Sequence, residues 1–208
     1  MINSKALRIG ALVLAAAAMS TQLAGCFPVL VGAVGASAYA TTDRRSLGAQ
    51  TDDKVIASRA ASRIEEALSP RAHINVNSFN RKVLLTGEVP DEASRQKAEQ
   101  IAKSVDNVQS VVADLEIGGM TPSTARNNDA FITGRVKTEL VSRKDIFANA
   151  YKVVTEKSIV YLMGRVTREE GDRAAEVARN VSGVAKVVKV FDYISDDELA
   201  QIKKTGAQ

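Results

Sequence analysis

The chain has 208 residues, with 28 Lys and Arg against 24 Asp and Glu and a formal charge of +4. It contains one cysteine, Cys26, and one histidine, His73. A lone thiol excludes an internal disulfide framework and a cysteine-rich metal site, and a lone imidazole disfavours a histidine-based zinc site. The sequence carries no metal-ligand spacing and no cofactor motif, so neither a metal nor a cofactor is expected.

Residues 1–25 read as a signal peptide. Lys5 and Arg8 form a short basic region, and the apolar run Ile9 to Met19 is shorter than the roughly 20 residues needed to span a bilayer. Leu23-Ala24-Gly25-Cys26 then brings small residues up to the cysteine. This stretch resembles the lipobox of bacterial lipoprotein precursors, in which the thiol is acylated and becomes the new N-terminus. Cys26 is therefore expected to be a lipid anchor, palmitate or a similar acyl chain, each buried CH₂ contributing about 0.8 kcal/mol. Phe27 stands where, by resemblance to enterobacterial sorting, Asp would favour the inner membrane; Phe27 points to the periplasmic face of the outer membrane. Loss of Lys5 and Arg8 leaves 26 basic against 24 acidic residues, so net charge alone does not indicate nucleic acid. Residues 26–50 are expected to be a lipidated tether. Their apolar part, FPVLVGAVGASAYA, is too short to span, although Gly32, Ala36 and Ala40 would give a helix a small-residue face.

The remainder is one unit written twice. Leu85-Thr86-Gly87-Glu88-Val89 matches Leu162-Met163-Gly164-Arg165-Val166 at an offset of 77, and Asp53, Ile56, Ala60 and Ile64 match Asp129, Ile132, Val136 and Leu140 at 76. Each copy predicts an opening helix, with Ile56, Ala60, Ile64 and Leu68 at helical spacing. A hairpin follows, turning at Phe79-Asn80-Arg81 and at Thr155-Glu156-Lys157. A second helix (Asp91 to Val105; Arg168 to Val181) and a last strand (Val108 to Ile117; Val184 to Ile194) close the unit. Thr167 and Glu170 have capping-box spacing, as do Ser195 and Glu198 in the tail. Gly87 and Gly164, inside strands, predict a close approach of backbone. The fold class is α+β: two tandem αββαβ units, each a three-stranded sheet with two helices on one face. The expected segments are 51–118 and 128–195 for the units, 119–127 for a linker, with Asn128 as the next N-cap, and 196–208 for the tail.

Helix, V-x-V, V-x-L-x-G-x-V, helix, G/N-V-x-x-V resembles the BON domain of periplasmic and osmotically induced bacterial proteins. A lipobox, the segment DRRSLGAQTDD and two such copies resemble the dual-BON-domain outer-membrane lipoproteins. The resemblance implies a non-enzymatic protein that supports envelope integrity, enriched at division sites where anionic lipid collects, with a link to the outer-membrane barrel-assembly machinery.

No catalytic constellation appears. Asp52-Asp53 and Asp196-Asp197-Glu198 are expected at helix starts, facing the positive end of the dipole. His73 is expected at the surface. Between the opening helices the charge differs: Asp52 to Arg71 holds four basic and four acidic residues, whereas Arg126 to Lys144 holds five basic and two acidic. The second also carries Phe131, about 100° off the buried stripe of Ile132, Val136 and Leu140 and one turn from Arg135. An exposed ring among cations fits a membrane interface. The family resemblance implies that this helix binds anionic phospholipid through a bulky aromatic at this place. Phe131, Arg135, Lys137 and Arg126 are the candidate phospholipid-binding residues. Two alternatives stay open: Phe131 packs against the first unit or the linker, or this surface makes the chain a protein-interaction adaptor for an outer-membrane assembly machine. The chain lacks a stacking-aromatic platform, which argues against nucleic acid.

Overall fold

The structure is a computed structural model and describes residues 43–205. The signal peptide, the lipobox with Cys26 and the tether up to residue 42 lie outside the described residues.

The first copy opens with helix α1 (Leu47–Leu68), whose Ala49, Asp53, Ile56, Ala60, Ile64 and Leu68 are buried at intervals of three and four. Strands β1 (His73–Phe79) and β2 (Lys82–Val89) pair antiparallel, with Phe79 opposite Lys82. The two-residue turn Asn80-Arg81 has φ of 50° and 62°, the left-handed pair that matches the twist of a hairpin. Helix α2 (Glu92–Lys103), capped by Asp91, carries the chain over to β3 (Ser110–Ile117), which lies parallel to β2. The second copy repeats this with α3 (Ser123–Ser142), β4 (Tyr151–Glu156), β5 (Ile159–Val166), α4 (Arg168–Arg179) and β6 (Lys186–Tyr193). The Thr167/Glu170 capping box forms at α4 as expected. Helix α5 (Asp196–Thr205) ends the described chain. Its Glu198 amide donates to Ser195 Oγ at 3.2 Å, but the Glu198 carboxylate is taken by Arg165, so only half of that expected box is made.

Three expectations are corrected. Both opening helices begin earlier than expected, at Leu47 and Ser123. Asn128 is therefore inside a helix, which already includes residues 123–127 of the segment between the copies. Neither extension carries an apolar period. Ser46 caps the first, accepting from the Ala49 amide at 3.1 Å. Pro122 precedes the second with φ −57°, a value already suited to helix entry. Asp52 and Asp53 consequently sit within α1 and do not cap it. The second hairpin turns at Lys157-Ser158 (φ 49° and 62°), so Glu156 ends a strand, opposite Ile159, and is buried.

Gly87 behaves as its place in a strand predicts. Its φ is 119°, and a Cβ there would lie 2.1 Å from the His73 carbonyl oxygen. At Gly164 a Cβ would lie 2.7 Å from the Ala150 carbonyl oxygen. The close neighbour is each copy's own first strand or its entry.

Alternation along β2 divides its side chains between two cores. Val83, Leu85 and Val89 face the helices, among Ile56, Ala60, Ala98 and Ala102. Leu84 points to the other face and packs, with Phe79, against Tyr161, Met163 and Val190 of the second copy. The two sheets thus meet face to face, with helices on both outer sides. Polar ties fasten the seam: Tyr161 donates to Asp114 (2.9 Å), Asn80 to Asp192 (2.6 Å) and Lys82 to the Phe191 carbonyl (2.7 Å).

The residues just before α1 hold both copies. Arg44 forks onto Glu170 at 2.7 Å on each oxygen, donates to the Arg165 carbonyl and lies over the Phe147 ring. Arg45 pairs with Asp43 and Asp53 and stacks 4.1 Å above Phe79. The segment leading in from the N-terminus is therefore pinned across the seam.

Candidate functional site

Helices α3 and α4 lie side by side on the outer face of the second sheet. Burial of Ile132, Val136 and Leu140 turns the opposite side of α3 to solvent. Phe131 stands on that side and is 71% exposed. It lines an open groove with Gly134, Arg135 and Arg143 from α3 and its exit, and Val177 and Val181 from α4 and its exit. The floor is apolar and the rim is cationic. Glu139 enters the same groove and lies 3.7 Å from Arg143.

Comparison of the copies shows what is particular to this groove. The first-copy counterpart of Phe131 is Val55, a smaller side chain that is 41% exposed. Arg59 corresponds to Arg135. Arg59 pairs with Asp106 at 3.2 Å. Asp106 corresponds to Ser182, whose backbone carbonyl accepts from Arg135 at 3.4 Å. The cation of the first copy faces a carboxylate, whereas that of the second, among the described residues, faces a neutral oxygen. The groove can hold an amphiphile: a ring and an apolar floor for hydrocarbon, a guanidinium for an anionic head.

The four candidate residues do not gather in one place. Phe131 and Arg135 share the groove. Lys137 is exposed on the other flank of α3, toward Lys152, whose pKa is lowered by burial first, then by the charge of Arg45 and last by that of Lys137. Arg126 lines a separate groove with His73, Asp129, Thr155 and Glu156. Arg143 joins the site instead. It was not singled out because its place just past the helix end follows no periodicity.

Other polar groups were missed. Asp53, nearly fully buried, accepts from Ser78 Oγ (2.6 Å) and from the turn amides of Asn80 (2.7 Å) and Arg81 (2.8 Å). Asp129 does the same for Lys157 and Ser158, both at 2.8 Å. A carboxylate recurring in both copies on an otherwise apolar helical stripe was the signal available. His73 also departs from expectation: it is partly buried, and its Nδ1 lies 3.1 Å from Glu88.

The architecture defines a class: tandem αββαβ modules that join two sheets into one body, with an outer groove between α3 and α4 of the second copy. The chain belongs to the BON domain family, which it matches over residues 52–119 and 128–195. It is 36% identical to the 21 kDa hemolysin of Actinobacillus pleuropneumoniae over 154 residues, which is 73% of this chain and 79% of that protein. It is 32% identical to the outer membrane lipoprotein DolP of Haemophilus influenzae over 174 residues, covering 83% of this chain and 90% of the relative. The osmotically-inducible protein Y of Escherichia coli is 27% identical over 140 residues, 65% of this chain and 70% of that protein.

Proposed function

We propose that this chain is an outer-membrane lipoprotein, anchored through acylated Cys26 on the periplasmic face, that binds anionic phospholipid through the α3/α4 groove. The reading is non-enzymatic and serves envelope integrity. Likeness to an outer membrane lipoprotein over most of both chains supports the compartment. The lipobox residues support the anchor. The observation that carries the lipid contact is the pairing of an exposed Phe131 with Arg135, which among the described residues has no carboxylate partner such as its counterpart Arg59 has.

Magnitudes favour a weak contact made effective by the anchor. A cation near an anionic surface contributes about 1 kcal/mol, and full burial of a Phe side chain about 1.5–3 kcal/mol. Their sum gives modest affinity in solution, and tethering to the same surface raises the effective concentration of lipid headgroups. Enrichment at division sites would follow from the lipid found there.

Liposome co-sedimentation tests the reading. Binding is expected to rise with the fraction of phosphatidylglycerol or cardiolipin and to fall with salt. Phe131→Glu is expected to weaken it roughly tenfold or more. Equal sedimentation of Phe131→Glu and wild type would remove the assignment and leave a protein partner as the occupant of this face.

A further inference from the structure

Where the first hairpin meets the second turn, the seam between the sheets holds a cluster of buried charge. Glu88 is the penultimate residue of β2 and is 0% exposed; Glu156 ends β4 and is 5% exposed. Glu88 is well held. It accepts from the hydroxyl and amide of Thr121, lies against His73 and pairs with Lys157 Nζ at 3.2 Å. These contacts overcome the opposing effect of burial and keep its pKa below the ordinary value.

Glu156 is different. Its described partners are neutral: Asn75 Nδ2 at 2.6 Å and Thr86 Oγ1 at 3.4 Å, both from the first copy. Among the described residues it makes no ion pair. The one lysine in the cluster, Lys157, is shared between Glu88 and the exposed Glu116. Of the two buried carboxylates, Glu88 therefore has an ammonium partner and Glu156, among the described residues, has only neutral ones. A buried carboxylate without an ionic partner is stabilised by a bound cation.

We propose that His73, Glu88 and Glu156 form a binding site for a divalent transition ion of the zinc class, bridging the two copies. One ligand atom from each residue falls within 4.8 Å of the others, so small side-chain rotations bring all three onto one ion at ordinary bond lengths of about 2.0–2.2 Å. An imidazole with two carboxylates suits zinc better than magnesium or calcium, which prefer oxygen alone. The groove lined by His73, Asn75, Arg126, Thr133 and Glu156 opens to solvent, giving an ion a path of entry to His73 and Glu156. Lys157 need not be lost. It lies nearer Glu116 (2.8 Å) than Glu88 and keeps that partner when an ion displaces it from Glu88. The sequence reading gave no metal site because one histidine lacks a second at ligand spacing; the carboxylates come from two different hairpins.

His73 is the only histidine, so its imidazole resonances report the site without ambiguity. The full-length chain carrying Cys26→Ala, in nonionic detergent and stripped with EDTA, is titrated with Zn²⁺ or Mg²⁺ at neutral pH. One equivalent of Zn²⁺ is expected to shift or broaden the His73 signals, with Mg²⁺ inert. Zn²⁺ at about a hundredfold excess over its Kd is expected to raise Tm by about 5 °C. His73→Asn and Glu156→Gln are each expected to abolish the gain, and calorimetry is expected to show their loss of binding. Unmoved His73 signals with about ten equivalents of Zn²⁺ would overturn the site, as would undiminished binding by His73→Asn. The wild-type titration stands even where a variant fails to fold, and neither result depends on lipid.

Discussion

Asp53 and Asp129 each hold a hairpin turn from a helix. A turn with two residues at positive φ points its backbone amides inward, and in both copies those amides meet one carboxylate. Hydrogen bonds to a charged acceptor contribute about 1.5–3 kcal/mol. Asp129→Ala removes two of them and is expected to cost about 2–4 kcal/mol, lowering Tm by roughly 5–10 °C in thermal unfolding. A loss below about 1 kcal/mol would mean that water replaces the carboxylate at the turn. Gly87→Ala is expected to be comparably destabilising, because the new methyl would meet the His73 carbonyl at a residue whose φ is 119°. These roles were only partly legible. The glycines announce themselves as breaks in a strand pattern. An aspartate on a helix looks like a cap until the helix is seen to begin well before it, and nothing in Leu47 to Thr51 marks that start by periodicity.

At the level of elements, α3 differs from α1 by a few side chains on the same frame. The stripe of Ile132, Val136 and Leu140 is legible because helical spacing fixes which side is buried, and Phe131 then falls outward by geometry. The flanks are harder to read. Arg135 and Lys137 are two residues apart and so sit on different sides of the helix, which charge counting over a segment cannot separate. The partner of Arg135 is set by residue 182, on another element. Ser182→Asp would install in the second copy the pairing that Arg59 and Asp106 make in the first. It is expected to leave the fold intact and weaken binding to anionic liposomes about fivefold, the effect of roughly 1 kcal/mol. Lys137→Glu, on the other flank, is expected to change binding by less than Phe131→Glu does. Co-sedimentation of the three variants side by side checks both, and a larger loss for Lys137→Glu would move the contact surface to the opposite flank of α3.

The whole molecule is two modules made one by a seam that the repeat in the sequence does not itself display. Leu84, Tyr161, Met163 and Val190 give it an apolar centre, with Arg44 and Arg45 fastening one side. Sixty-residue units bury too little surface to be robust alone, so urea unfolding followed by far-ultraviolet circular dichroism, which reports both copies, and by the fluorescence of Tyr151, Tyr161 and Tyr193, which reports the second, is expected to show one coincident transition. Two separated transitions would show that the seam contributes little. Acid is expected to loosen it. Burial alone would raise the pKa of Glu170 and Glu88. The Arg44 fork and capping amide at Glu170, and the contacts of Thr121, Lys157 and His73 at Glu88, outweigh it and hold both below the ordinary 4.5. The folded chain then binds fewer protons than the unfolded one in that range. The stability these groups supply is complete above about pH 4.5 and is lost as pH falls through their lower folded values. A stability that rose on acidification from pH 5 would contradict those assignments.

The central claim is that one outer groove, on the second copy, meets anionic lipid. The most direct measurement is an amide chemical-shift titration of the full-length protein with phosphatidylglycerol micelles. The expected result is perturbation confined to Ala130–Arg143 and Val177–Ser182, with Val55 and Arg59 of the first copy unmoved. Shifts spread evenly over both copies, or centred on the first, would contradict it.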